Sequence, residues 1–170
     1  MKAAKKSIKL TALASVVLAV GVAISTGAFA GGTTPLTINA KISGTCKVTT
    51  APGTLDFGTI DPTGGSNATA STTFVMKCSN GTTSTAATDD GGLHFSVTKR
   101  MQHSVTATAF LPYAIAYSGD VGFAGAGFGG AAASQTVTIN GTITPAQYSG
   151  AVATTGAELY ADTVTITVNP

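Results

Sequence analysis

A side-chain period of two, cut into short runs by Gly, Pro, Asn and Asp, constrains what this chain can fold into. Thr163-Val164-Thr165-Ile166-Thr167-Val168 puts three aliphatic side chains on one face and three threonines on the other. Residues 36–43 repeat the pattern through four pairs: Leu36, Ile38, Ala40 and Ile42 face one way, and Thr37, Asn39, Lys41 and Ser43 face the other. That spacing suits a half-buried strand and spreads around the circumference of a helix. Composition points the same way, since 28 of residues 31–170 are Thr, and β-branched side chains favour extended backbone. Further runs predict strands over residues 46–50, 53–57, 70–78, 93–99, 104–117, 135–143 and 159–168, with a turn at 61–65. Asn140-Gly141 reads either as a type I′ hairpin turn or as a Gly at a bulge inside one strand. Residues 80–92 and 121–133, rich in Gly, Ala, Ser and Thr, are expected to be exposed loops. The number and brevity of the strands predict an all-β fold, a sandwich of two antiparallel sheets.

The N-terminus has a different character. Lys2, Lys5, Lys6 and Lys9 precede an apolar run over residues 10–24, and Ala28-Phe29-Ala30 is the small-x-small triplet that signal peptidase accepts. Thr11, Ser15 and Gly21 interrupt the run, which falls short of the ~20 apolar residues that span a bilayer. Residues 1–30 therefore read as a signal peptide. Without them, 5 basic residues oppose 7 acidic ones, a net charge of 5 − 7 = −2. So few positive charges exclude a nucleic-acid binder. Export oxidises thiols, so Cys46 and Cys78 are expected to pair, closing a loop of about 32 residues for roughly 3–4 kcal/mol. Their spacing fits neither a CxxC redox motif nor a zinc site.

Catalytic patterns are missing from the sequence. His94 and His103 are the only histidines, and no Gly-x-Ser-x-Gly elbow, phosphate loop or HExxH helix occurs. Asp61, Asp90 and Asp120 stand beside Pro or Gly, as turn residues do, and Asp89-Asp90-Gly91 reads as a solvated loop rather than a calcium site. The expectation is no enzyme, no cofactor and no metal. Exposed aromatics could instead mark a secreted ligand-binding or coat sandwich that does not polymerise. Tyr113, Tyr117, Phe123 and Phe128 are the candidates; Tyr113 is expected in the core, and Phe123 and Phe128 in the Gly-rich loop are the ones expected to be exposed.

Several short motifs then fall into a recognisable order. They are Gly44-Thr45-Cys46, Leu55-Asp56-Phe57-Gly58, Met76-Lys77-Cys78, Lys99-Arg100-Met101, Leu111-Pro112-Tyr113 with Tyr117 and Asp120, and Tyr160-Ala161-Asp162-Thr163-Val164. Together they resemble the spore coat protein U domain family, which includes subunits of archaic chaperone-usher pili. The resemblance implies an immunoglobulin-like sandwich at residues 46–170 that lacks its final strand and is completed by a donor strand from a partner. Residues 31–45 become an N-terminal extension whose Leu36, Ile38, Ala40 and Ile42 are the donor positions, and Val164, Ile166 and Val168 line the edge of the acceptor groove. Implied partners are identical or related pilin subunits, a periplasmic chaperone and an outer-membrane usher. The implied location is surface fimbriae reached through the periplasm, serving adhesion and biofilm formation.

Overall fold

The computed structural model describes residues 34–170. The expected signal peptide and Gly31 to Thr33 lie outside the described residues. The chain divides into two units, Met1–Asn39 and Ala40–Pro170, and all regular structure described below belongs to the second. Strand β1 (Cys46–Thr50) pairs antiparallel with β2 (Ala68–Cys78), setting Cys46 opposite Cys78, and a disulfide joins the two. Then follow β3 (Thr88–Asp89), β4 (Arg100–His103), β5 (Phe110–Pro112), β6 (Ala114–Ser118), β7 (Gln135–Ile143), the single-turn helix α1 (Pro145–Tyr148), β8 (Tyr160–Ala161) and β9 (Ile166–Thr167). One sheet has the order β1-β2-β7-β6, and facing it lie the antiparallel sets β3-β9 and β5-β4-β8.

Alternation along β2 and β7 builds the core. Phe74 and Met76 point inward from β2, Val137, Ile139 and Ile143 from β7, and each is almost fully buried. Two clusters result. Phe74, Met76, Val137 and Ile139 pack with Leu55, Ile166 and Val168, whereas Leu111, Tyr113, Ile143 and Tyr148 pack with Phe57, Met101, Tyr160 and Val164. Both clusters draw side chains from both layers, so the fold is a sandwich held by apolar burial worth ~1.5–3 kcal/mol per large side chain.

The strand expectations hold for Cys46–Thr50, most of β2 and all of β7, and fail elsewhere for local reasons. Residues 53–57 form no strand, because their backbone finds no ladder partner among the described residues. Residues 93–99 form turns and bends. Gly91 and Gly92, at φ 85° and 95°, turn the chain beforehand, leaving Leu93, Phe95 and Val97 exposed. The strand starts instead at Arg100, whose guanidinium lies 3.9 Å from the Phe110 ring centroid. The run over residues 104–117 splits into β5 and β6, which pair in different sheets, and the run over 159–168 splits into β8 and β9. Asn140 and Gly141 form neither a turn nor a bulge, since β7 passes through them in unbroken register with β2. Residues 36–43, despite their alternation, form no strand.

Sequence periodicity gives no hint of α1. Its Thr144 backbone N–H donates to Gln147 Oε1 at 2.7 Å, and Pro145 takes the first helical position. That turn buries Tyr148, whose hydroxyl lies 2.5 Å from the Gly64 carbonyl and 2.8 Å from that of Ser66.

Candidate functional site

The sandwich is open along one side. A groove of about 320 Å³ runs between residues 52–57 and residues 162–166, floored by Thr72, Met101, Tyr113, Ile115 and Ile139. One wall is Leu55 and Phe57. The other is Val164 and Ile166, both half-buried, with Val168 continuing the same alternation. Beyond Phe57 a second hollow of about 330 Å³ is lined by Ile60, Gly64, Ala68 and Tyr148.

Both walls present unused backbone. On the far wall, Thr163 accepts a hydrogen bond from Leu93 (2.9 Å), Thr165 from Asp90 (3.1 Å) and Asn169 from Thr85 (3.1 Å), while Thr167 pairs with Thr88. In an extended strand the backbone groups of successive residues point to opposite sides, as the side chains do. The N–H and C=O groups of Val164, Ile166 and Val168 therefore point into the groove, and their side chains point into the core. On the near wall, no backbone–backbone hydrogen bond involves residues 51–60 among the described residues. The walls run in opposite directions, because Leu55 shares one core cluster with Ile166 and Val168 while Phe57 shares the other with Val164.

Polar contacts brace the β9 wall. The Tyr113 hydroxyl donates to Asp162 Oδ2 at 2.7 Å, and Asp162 Oδ1 accepts from the backbone of His94 and Thr163. Tyr117 donates to Asp89 Oδ2 at 2.8 Å, and Lys99 Nζ lies 2.9 Å from Asp89 Oδ1. Burial, reinforced by the facing carboxylates, pushes both phenols well above their ordinary range. Burial also raises the Asp89 carboxyl, but hydrogen bonds from Lys99, Tyr117 and Gly91 outweigh it and leave the group below the usual aspartate value. Asp89 is thus a paired, largely buried carboxylate and not the solvated loop residue that the sequence suggests. Gly92 must lack a Cβ, which would run into the Asp162 carboxylate.

A family model described as the Spore Coat Protein U domain matches residues 32–167, which include both walls of the groove as far as Thr167. The chain belongs to this family. No curated protein matches it. Within this Spore Coat Protein U domain the residues singled out from the sequence fall in separate places. Cys46 and Cys78 join β1 to β2, Val164 and Ile166 line the groove, and Val168 packs against the core beyond them. Leu36, Ile38 and Ile42 are 82%, 81% and 94% exposed, and Ala40 is exposed too. Tyr113 is in the core as expected. Phe128 is exposed, whereas Phe123 packs against the core.

The histidines do not form a site. His103 is buried, and its Nδ1 accepts from the backbone of Val105 and Thr106, while the His94 ring leans on Phe110. Among the described residues no three His, Cys, Asp or Glu side chains gather as metal ligands, and no helix is long and apolar enough to cross a membrane. Sequence reasoning missed the near wall as an unpaired edge and the two tyrosine–aspartate contacts. Their partners lie 49 and 28 residues apart, beyond any local signal.

Proposed function

We propose that this chain is a structural pilus subunit that polymerises by donor-strand exchange, the extension at residues 31–45 of one copy filling the groove of the next. One observation carries the reading: an apolar groove whose two walls both offer unpaired backbone to an incoming strand. Unpaired edges flanking apolar surface invite strand addition, and donor-strand complementation is a known mode of it. The occupant is supplied by the chain itself. Leu36, Ile38 and Ile42 are exposed large aliphatic residues on one face of an alternating segment, and burying them at ~1.5–3 kcal/mol each contributes roughly 5–9 kcal/mol. In this reading a periplasmic chaperone covers the groove before assembly, an outer-membrane usher exchanges it for the next extension, and the fibre stands on the cell surface for adhesion. Residues 1–30 are the signal peptide for that route, and the chain has no catalytic role.

The geometry also favours one direction for the donor. An inserted strand is antiparallel to one wall and parallel to the other. The extension leaves its own domain at Thr45, beside Ser79 and Thr82, at the end where the last strand finishes against Thr85. A donor antiparallel to β9 emerges at the opposite end of its acceptor, so subunits stack head to tail. A parallel donor would bring its subunit back onto the end from which the acceptor's own extension departs.

The test moves residues 31–43 behind Pro170 on a short flexible linker. The expected product is a monomer that fills its own groove, no longer polymerises and melts well above the parent. A rearranged protein no more soluble or heat-resistant than the parent refutes the proposal and favours a complete, non-polymerising sandwich.

A further inference from the structure

Resting on the donor-strand reading, we infer that an ion pair between subunits, Lys41 of the donor with Asp56 on the near wall of the acceptor, sets the docking register. Alternation limits the choices. Donor residues whose side chains enter the groove must stand opposite Val164, Ile166 or Val168, so permitted registers differ by steps of two. If Ile38 faces Ile166 and Ala40 faces Val164, Ile42 is set against Asp162. That carboxylate already accepts from Tyr113, His94 and Thr163, and an aliphatic neighbour strips its remaining water. A shift of two sets Ile38, Ala40 and Ile42 opposite Val168, Ile166 and Val164. All three then meet apolar residues.

Charge selects the same register. Lys41 is the only charged residue in the donor segment, and it points away from the groove. On the near wall Leu55 and Phe57 point inward, so the exposed Asp56 between them points outward. Leu55 shares its core cluster with Ile166 and Val168 and Phe57 shares the other cluster with Val164, which places Asp56 along the stretch between Val164 and Ile166, where Thr165 lies. With Ile42 opposite Val164, Lys41 stands opposite Thr165, directly between that residue and Asp56. The competing register leaves Lys41 opposite Thr163 and past the carboxylate.

Cross-linking in assembled full-length fibres tests this directly. Outward-facing residues of β9 and the donor form non-hydrogen-bonded antiparallel pairs, whose Cα atoms lie about 4.5 Å apart and within disulfide reach. Oxidised fibres of Lys41→Cys/Thr165→Cys should run as a covalent ladder on a boiled, non-reducing gel. Lys41→Cys/Thr163→Cys and Lys41→Cys/Thr167→Cys should run as monomers. A ladder from either of these instead, or no ladder from any of the three, overturns the register; donor-strand exchange itself stands or falls separately, on whether the chain with residues 31–43 moved behind Pro170 becomes a stabilised monomer. In parallel, Lys41→Glu and Asp56→Lys should each speed subunit dissociation roughly two- to fivefold at low salt, as for exposed pairs, and the double reversal should restore it. Failure of the double reversal to recover removes the ion pair from the proposal.

Discussion

Replacing Gly141 with Ala should loosen the near wall of the groove. Gly141 sits near the C-terminal end of β7, and a Cβ there would lie 2.7 Å from Phe57 Cζ and 2.8 Å from Leu55 Cδ2. Carbon atoms pack best at ~3.5–4.0 Å, so the wall must retreat by about 1 Å or the strand must bend. Overpacking of this kind costs about 1–3 kcal/mol. Opposing it, Ala restricts the unfolded chain and returns ~0.4–1 kcal/mol. The clash wins, leaving a net loss of roughly 0.5–2 kcal/mol and a melting temperature lower by on the order of 2–8 °C. Differential scanning calorimetry of the monomer measures this. Shortening the obstructing ring should relieve part of the loss, so Gly141→Ala combined with Phe57→Leu should cost less than the sum of the single changes. A Gly141→Ala variant at least as stable as the parent, or strict additivity in the double variant, refutes the argument that Leu55 and Phe57 demand a glycine beneath them.

Other perturbations have equally definite outcomes. Replacing Cys46 and Cys78 together by Ala should lower unfolding free energy by roughly 3–4 kcal/mol in urea titration, as expected for a cross-link spanning 32 residues. Asp89→Asn should destabilise the domain at neutral pH. The folded value of Asp89 lies below its ordinary 3.8, so its stabilisation is present above that pH and disappears as pH falls through the folded value. Stability curves of parent and variant should therefore converge as pH falls through that folded value. Tyr148→Phe should cost ~0.5–1.5 kcal/mol, because the turn carbonyls of Gly64 and Ser66 lose their hydroxyl partner, and an unchanged denaturation midpoint would show that the turn does not depend on it.

Three segments with the same alternation met different fates, which marks how far the sequence was legible. Residues 164–168, 93–97 and 36–42 all carry aliphatic or aromatic side chains at every second position. The first lines the core, the second is exposed beside the turn at Gly91 and Gly92, and the third is exposed with no strand formed. Period two reports which side chains share a face; it does not report whether another strand is there to meet them. The all-β class, the long strands β2 and β7 and the Cys46–Cys78 pair follow from local pattern and chemistry. The groove does not, because it depends on Leu55 and Phe57 meeting Val164 and Ile166 across more than a hundred residues, and on backbone groups that stay unpaired. The Tyr113–Asp162 and Tyr117–Asp89 contacts were hidden for the same reason, and α1 because one turn is too short to show a period.

The disulfide has a mechanical consequence. Residues before Thr45 attach to the domain where β1 begins, and a tensile load on them pulls on the first residue of an edge strand. Without a cross-link, such a load would peel β1 from β2 one hydrogen-bonded pair at a time, starting at the Cys46–Cys78 pair. The covalent bond lies at that first pair and passes the load straight into β2, whose other side is paired with β7 over nine consecutive positions. Unzipping is thereby converted into shear across the middle of the sheet, where many hydrogen bonds must yield together.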